Sequence, residues 1–157
     1  MLDQTDRMLL ALLKEDTKRK YSDLGEIVHL SAPAVHERVK KLERAEVIRK
    51  YTIDVDLDAL DLTLQAFIRI HISRIPCEEM ARSLQNFPEV VECFSSAGEE
   101  SMLIKVHTGS PSQLETLLNR IRLMPGVERV LTSIILTTHF QRENIVVNEP
   151  VGRPLDG

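Results

Sequence analysis

The ten residues LQAFIRIHIS, 64 to 73, alternate without a break. Leu64, Ala66, Ile68, Ile70 and Ile72 hold one set of positions, and Gln65, Phe67, Arg69, His71 and Ser73 hold the other. Side chains along a strand point to opposite faces in turn, so this period of two predicts a strand with one wholly apolar face. That face needs a cover, and the next residues supply it. Pro76 ends the strand and starts a helical stretch, PCEEMARSLQNF, in which Met80, Ala81, Leu84 and Phe87 share a side.

Two further strands follow, VVECFSSAG and MLIKVHT, joined by AGEES, a polar turn around Gly98. A second helix runs from Ser112 to Met124 with Leu114, Leu117, Leu118 and Ile121 inward, between SPS and MPGV. VERVLTSIILTT closes the set as a fourth strand. The order over residues 64–140 is therefore β-α-β-β-α-β, a ferredoxin-like arrangement of two helices on one face of an antiparallel sheet. The other face carries Phe67, Leu103 and Leu131 among polar neighbours, too apolar to stay bare, and predicts a sheet-to-sheet homodimer. Residues 141–157 lose the pattern after Val147 and read as a tail or a subunit strap.

The first fifty residues follow a different period. Met8, Leu9, Leu12 and Leu13 recur at helical spacing, with Asp3 and Thr5 as start signals. Leu24, Ile27 and Val28 form a second short stripe, with Ser22 as the expected N-cap. In a third helix Ser31 caps, Pro33 sits in the first turn, and Val35, Val39 and Leu42 face inward. Glu37, Lys40 and Arg44 then point the opposite way, with Ala34 and Lys41 more obliquely placed. Three short helices with a tight turn before the third predict a helix-turn-helix over residues 1–50. The β-branched residues of EVIRKYTIDVDLDAL predict a wing and a linker strand over residues 51–63. The fold class is thus α+β, in two modules.

Charge divides along the same line. Net charge is −4, yet residues 1–50 hold eleven Lys and Arg against nine Asp and Glu. A generic polyanion binder is excluded, and any basic function must be local. Six of the twenty Lys and Arg lie between Arg38 and Lys50. Charge alone leaves two equal readings: a face that grips DNA, or a solvated helix in which Glu37 pairs with Lys41. Lys18, Arg19 and Lys20 divide in the same way between backbone contacts and a surface loop.

Cys77 and Cys93 form no CxxC pair, so neither a zinc knuckle nor a dithiol motif is present. His71 and His107 fall on one sheet face, but no carboxylate or thiol is spaced around them as a ligand set, and satisfied interface histidines are the default. No GxSxG, Walker or Rossmann loop occurs. The apolar run in MLDQTDRMLLALL is far below the ~20 residues of a membrane span, which predicts a cytoplasmic protein without a membrane partner.

LDQTDRMLLALLKED, LSAPAVHERVKKLERAEVIRKY, VVECFSSAGEES and MPGVERVLTSIIL resemble, in order and spacing, the landmarks of the Lrp/AsnC feast/famine regulators over residues 2–140. The resemblance implies a winged helix-turn-helix that binds a double-stranded operator, and a ligand-sensing (RAM-type) domain that builds homodimers and a tetramer of dimers. It implies no cofactor, only a small-molecule effector such as an amino acid. It draws the DNA contacts from Ser31, Ala34, His36, Glu37, Arg38, Lys40, Lys41 and Arg44, with Arg38 on the flank, where it braces the domain or a phosphate rather than reading sequence. It draws the effector site from Ala97, Gly98, Glu99, Glu100 and Ser101, meeting Thr132 and Ser133 across subunits.

Three positions depart from the family pattern. His29 and Glu46 stand where the family has glycine, so both turns are expected to be slightly re-angled. GEES replaces the usual Gly-Asp-x-Asp, which weakens the case for an amino-acid effector. An effector-independent architectural DNA binder is therefore kept as an alternative. Siroheme decarboxylases also resemble this architecture and give an enzyme alternative.

Overall fold

The computed structural model describes residues 2–98 and 100–141, and the chain divides into two compact units between Asp54 and Val55. Glu99 and residues 142–157, with the expected tail, lie outside the described residues.

The first unit has three helices, α1 (Gln4–Glu15), α2 (Tyr21–Val28) and α3 (Ala32–Arg44). A reciprocal capping box starts α1. The Asp6 N–H donates to the Asp3 carboxylate at 2.7 Å and the Asp3 N–H to that of Asp6 at 3.2 Å, so two amides that the helix cannot satisfy find partners. Leu9, Leu13, Leu24, Val35 and Val39 form the core, with Tyr21, Val28 and Leu30 against it. Two expectations need correction. Ser22 does not cap α2: the helix starts two residues earlier, with Lys20 at the N-cap, because Tyr21 packs on this core, and the Ser22 hydroxyl donates to Asp23 instead. Ile27 is 44% exposed, so Leu24, Gly25 and Val28 carry the inward stripe.

Ser31 caps α3, accepting from the Ala34 N–H at 3.4 Å, and Pro33 lies in the first turn where its missing donor costs nothing. The turns around α3 each hold a residue in the left-handed region. His29 has φ +57° and Glu46 φ +53°, the left-handed geometry that glycine adopts freely. Both bear a Cβ in a region that costs L-residues roughly 1 kcal/mol. His29→Gly should therefore raise the stability of this unit by about 0.5–1 kcal/mol, less than the full strain because glycine loosens the unfolded chain. A rise in the denaturant midpoint of the helical signal checks it. An unchanged midpoint would mean that the turn is unstrained.

Among the described residues no strand forms between 49 and 63, where the wing and linker strand are expected. β-Branched residues favour extended backbone, but a strand also needs a ladder partner, and the described residues of the first unit offer none. A 3-10 turn, Asp58–Leu60, lies near the start of the second unit.

That unit contains β1 (Leu64–Ile72), α4 (Cys77–Leu84), β2 (Val90–Ser95), β3 (Met102–Thr108), α5 (Pro111–Arg122) and β4 (Val127–Ile135). The sheet order is β2-β3-β1-β4, antiparallel throughout. Ala66, Ile68, Ile70 and Ile72 of β1 are buried with Ile104, Val106, Met80, Leu84, Leu117 and Ile121, and Leu64 packs against them partly buried, so the alternation puts the core where it predicts. α4 ends at Leu84 rather than Phe87, and Phe87 packs below the Arg120 guanidinium, 4.4 Å from its ring centre. β4 stops at Ile135, opposite Gln65, because β1 offers only one further residue to pair. On the open face Arg69 stands between Leu103 and Leu131, and Phe67 between Lys105 and Ser133.

Candidate nucleic-acid interface and effector turn

Glu37, Lys40, Lys41 and Arg44 are all exposed on the side of α3 opposite its buried residues. The three cations have no ion-pair partner among the described residues. Glu37 does not pair with Lys41, so the face is not the self-neutralised helix that charge alone left open. Ala34, half-buried, leaves the N-terminal end of the face low, and Ser31 is exposed there as the cap.

The flanks of α3 are occupied. On one side Arg38 Nη1 donates to Asp3 Oδ2 at 2.6 Å and to Asp6 Oδ1 at 2.8 Å. The Asp6 N–H bond and then the Arg38 guanidinium hold the Asp3 carboxyl below its usual range, and the two carboxylates raise that of Arg38. On the other side the His36 ring lies 5.3 Å from the ring of Tyr21. Tyr51 donates to Glu43 at 2.7 Å, and burial followed by this carboxylate pushes its hydroxyl up to about 12. His36 and Arg38, both taken from the sequence as DNA contacts, are thus engaged with neighbouring elements. Of the basic run before α2, Arg19 pairs with Glu15 at 2.8 Å while Lys18 and Lys20 stay exposed.

In the second unit the β2–β3 turn is closed by the Ser96 N–H donating to the Ser101 carbonyl at 2.8 Å. Ala97 and Gly98 are exposed, and a Cβ on Gly98 would meet nothing within 4 Å. Its backbone is therefore open to approach from outside. Glu100 is mostly covered, and Arg129 of β4 reaches it at 3.4 Å. Thr132 and Ser133 are not brought to the turn within one chain. Ile70 pairs with Met102 and Val130, so the turn is level with the start of β4, whereas Thr132 and Ser133 lie opposite Ile68 and Phe67. They also point to opposite faces of the sheet.

His71 and His107 share a face but not a location. His107 pairs with Gln65, whereas His71 lies at the other end of β1, 3.5 Å from Glu128. Burial, then Lys105, lowers the His107 pKa. No group of three His, Cys, Asp or Glu side chains among the described residues could hold a metal ion.

Residues 2–43 match the AsnC-type helix-turn-helix domain, and residues 65–145 match the Lrp/AsnC ligand binding domain. The chain belongs to the Lrp/AsnC family. It is 33% identical over 146 residues to the HTH-type transcriptional regulator FL11 of Pyrococcus horikoshii, covering 93% of this chain and 97% of that one. It is 34% identical over 145 residues to LrpA of Mycobacterium tuberculosis, covering 92% and 97%. Among solved structures, a Neisseria meningitidis transcriptional regulator in complex with L-Met superposes with a TM-score of 0.88 at 29% identity, covering 94% of this chain and 98% of that one. AsnC of Escherichia coli gives 0.85 at 28%, covering 90% and 97%.

In this Lrp/AsnC protein the exposed face of α3 falls in the helix-turn-helix match save for Arg44, one residue past its end, and the β2–β3 turn falls in the ligand-domain match. Sequence reasoning missed four participants: Asp3 and Asp6 on Arg38, Tyr21 beside His36, and Arg129 on Glu100. The first two had a local signal, since acids at the start of α1 mark a cap, but nothing local names a partner more than thirty residues away.

Proposed function

We propose that this protein is a sequence-specific transcriptional regulator that docks α3 in the major groove of an operator and answers to an amino acid. One observation carries the reading: Lys40, Lys41 and Arg44 stand exposed on one face of the third helix of a helix-turn-helix, with no ion-pair partner among the described residues. Cations left without protein partners are placed for phosphates. The protein acts in the cytoplasm and by binding, with no resident cofactor and no turnover.

A second copy covers the open sheet face, where Phe67, Phe94 and Leu131 are 38%, 48% and 36% exposed. Two α3 helices are then available for a twofold-symmetric site, and four such dimers build the larger assembly. The effector lies at a junction between copies, where the β2–β3 turn of one meets Thr132 and Ser133 of another. That turn is the natural place, because the Gly98 backbone is open, and an ammonium group there would compete with Arg129 for the Glu100 carboxylate. A ligand that prefers one arrangement of copies shifts operator affinity through linkage.

The test is selection from a randomised duplex pool at physiological salt, with thermal melting across the amino acids. The expected result is an enriched, roughly palindromic site, and stabilisation of about 2.7 kcal/mol at a hundred times the Kd of the effector. Without enrichment the DNA reading falls. With enrichment but no melting shift, the protein is an effector-independent DNA binder.

A further inference from the structure

We propose that Arg38 is a positioning residue for DNA recognition: through the paired carboxylates of Asp3 and Asp6 it fixes the roll of α3 against α1, and it holds no phosphate itself. The inference rests on the DNA-binding reading above and goes beyond it by removing a cation of the recognition helix from the contact set and adding two acids to the recognition machinery.

The geometry is specific. One nitrogen, Nη1, donates to both carboxylates, at 2.6 and 2.8 Å, the short range of charge-assisted bonds. The same two carboxylates make the capping box of α1, so their positions are already fixed before Arg38 arrives. Asp6 is well covered, its side chain 16% exposed. A phosphate approaching the remaining N–H groups of Arg38 would meet two carboxylates held in place by backbone amides. Two carboxylates around one guanidinium also leave this flank net negative, which repels a DNA backbone. On charge alone the pair therefore works against binding, and its contribution must come from geometry.

Roll is the degree of freedom that such a contact controls. Arg38 lies midway along the thirteen residues of α3 and on one flank of its buried stripe. His36 against Tyr21 occupies the other flank. Side-chain tips lie about 5–6 Å from a helix axis, so a roll of about 15° moves them by about 1.5 Å. That displacement breaks hydrogen bonds to base edges but leaves long lysines able to find a phosphate. The contact should therefore matter for sequence recognition and hardly at all for general DNA affinity.

The test compares Asp6→Asn, Asp3→Asn and Arg38→Gln with the wild type on two probes: a duplex that the wild-type protein enriches from a random pool, and a mixed-sequence duplex of equal length. Asp3→Asn keeps a good N-cap, and helical circular dichroism with full dimerisation establishes that each variant is folded. The expected result is that Asp6→Asn and Arg38→Gln each weaken the enriched duplex on the order of tenfold, with the double variant no worse than either. The mixed duplex and the salt slope should stay unchanged. Loss of specific affinity on removing an acid is the decisive sign, because electrostatics alone predicts a gain. Asp6→Asn binding the enriched duplex as tightly as the wild type would overturn the proposal. So would Arg38→Gln weakening both probes alike with a salt slope smaller by about one, which would make Arg38 a phosphate ligand. If the wild type enriches no duplex, the DNA reading itself falls and takes this inference with it. Enrichment with Asp6→Asn unaffected removes this inference alone.

Discussion

Alanine at position 25 should unfold the helix-turn-helix while leaving the four-stranded sheet standing. Gly25 is buried in α2, and a Cβ built on it would lie 2.3 Å from the carbonyl oxygen of Leu30 and 3.4 Å from its carbon. That oxygen cannot step aside alone. Leu30 donates its own N–H back to the Gly25 carbonyl at 2.9 Å, His29 before it is fixed in the left-handed region, and Ser31 after it caps α3. Relief of the clash therefore means opening the turn between α2 and α3.

Two opposing magnitudes decide the sign. Alanine is the better helix former by about 1 kcal/mol, whereas overpacking against immovable atoms costs about 1–3 kcal/mol and more when backbone must shift. Here the obstacle is backbone, so the clash dominates. A unit of some fifty residues commands only about 3–8 kcal/mol in total, and a loss of 2–4 kcal/mol removes much of it. Each unit has its own core, so hydrogen exchange should show the amides of Leu24 and Val39 exchanging freely while those of Ile68 and Ile104 keep their protection. Equal protection at all four would mean that the turn has slack.

The sheet was legible in the sequence because its information is local and periodic. Leu64 to Ile72 alternate, and the buried face follows without any knowledge of partners. The inward stripe of α3 was legible for the same reason, and His29 and Glu46 could be flagged as turn positions because glycine has a distinct backbone preference. What failed was information carried by tertiary partners. Ser22 is a better cap by type than Lys20, yet packing of Tyr21 on the core sets the start of α2. The stretch before residue 63 has strand composition, but a ladder needs a second segment, and composition cannot say where one is. The flank position of Arg38 left open whether it braces the domain or holds a phosphate, because a cation on α3 is equally basic whether it faces phosphate or carboxylate. Its partners lie 35 and 32 positions away. Thr132 and Ser133 are expected to meet the β2–β3 turn across subunits, and within one chain strand order and register place them several rungs from it.

Charge reversal of the exposed face, as Lys40→Glu, Lys41→Glu and Arg44→Glu together, should abolish DNA binding and leave folding and assembly intact. All three side chains are exposed and none holds a protein partner among the described residues, so surface substitution there changes stability by roughly 0.5 kcal/mol or less per site. DNA affinity is another matter. Three phosphate contacts per chain become about six in a dimer, and log affinity falls with log salt at about 0.9 per phosphate neutralised. Contacts in that number are worth about 10³-fold or more between low and physiological salt, and reversal replaces each attraction with repulsion. Titration of the enriched duplex at several salt concentrations should give a wild-type slope of about −5 that is absent in the variant, with unchanged elution on gel filtration. A variant still binding within a few-fold of wild type would make this face an ordinary solvated helix. Loss of binding together with loss of the oligomer would instead place these cations in assembly. The separation of those two outcomes follows from the structure, because the cations stand on α3 in the first unit and the apolar sheet face that calls for a second copy belongs to the other unit.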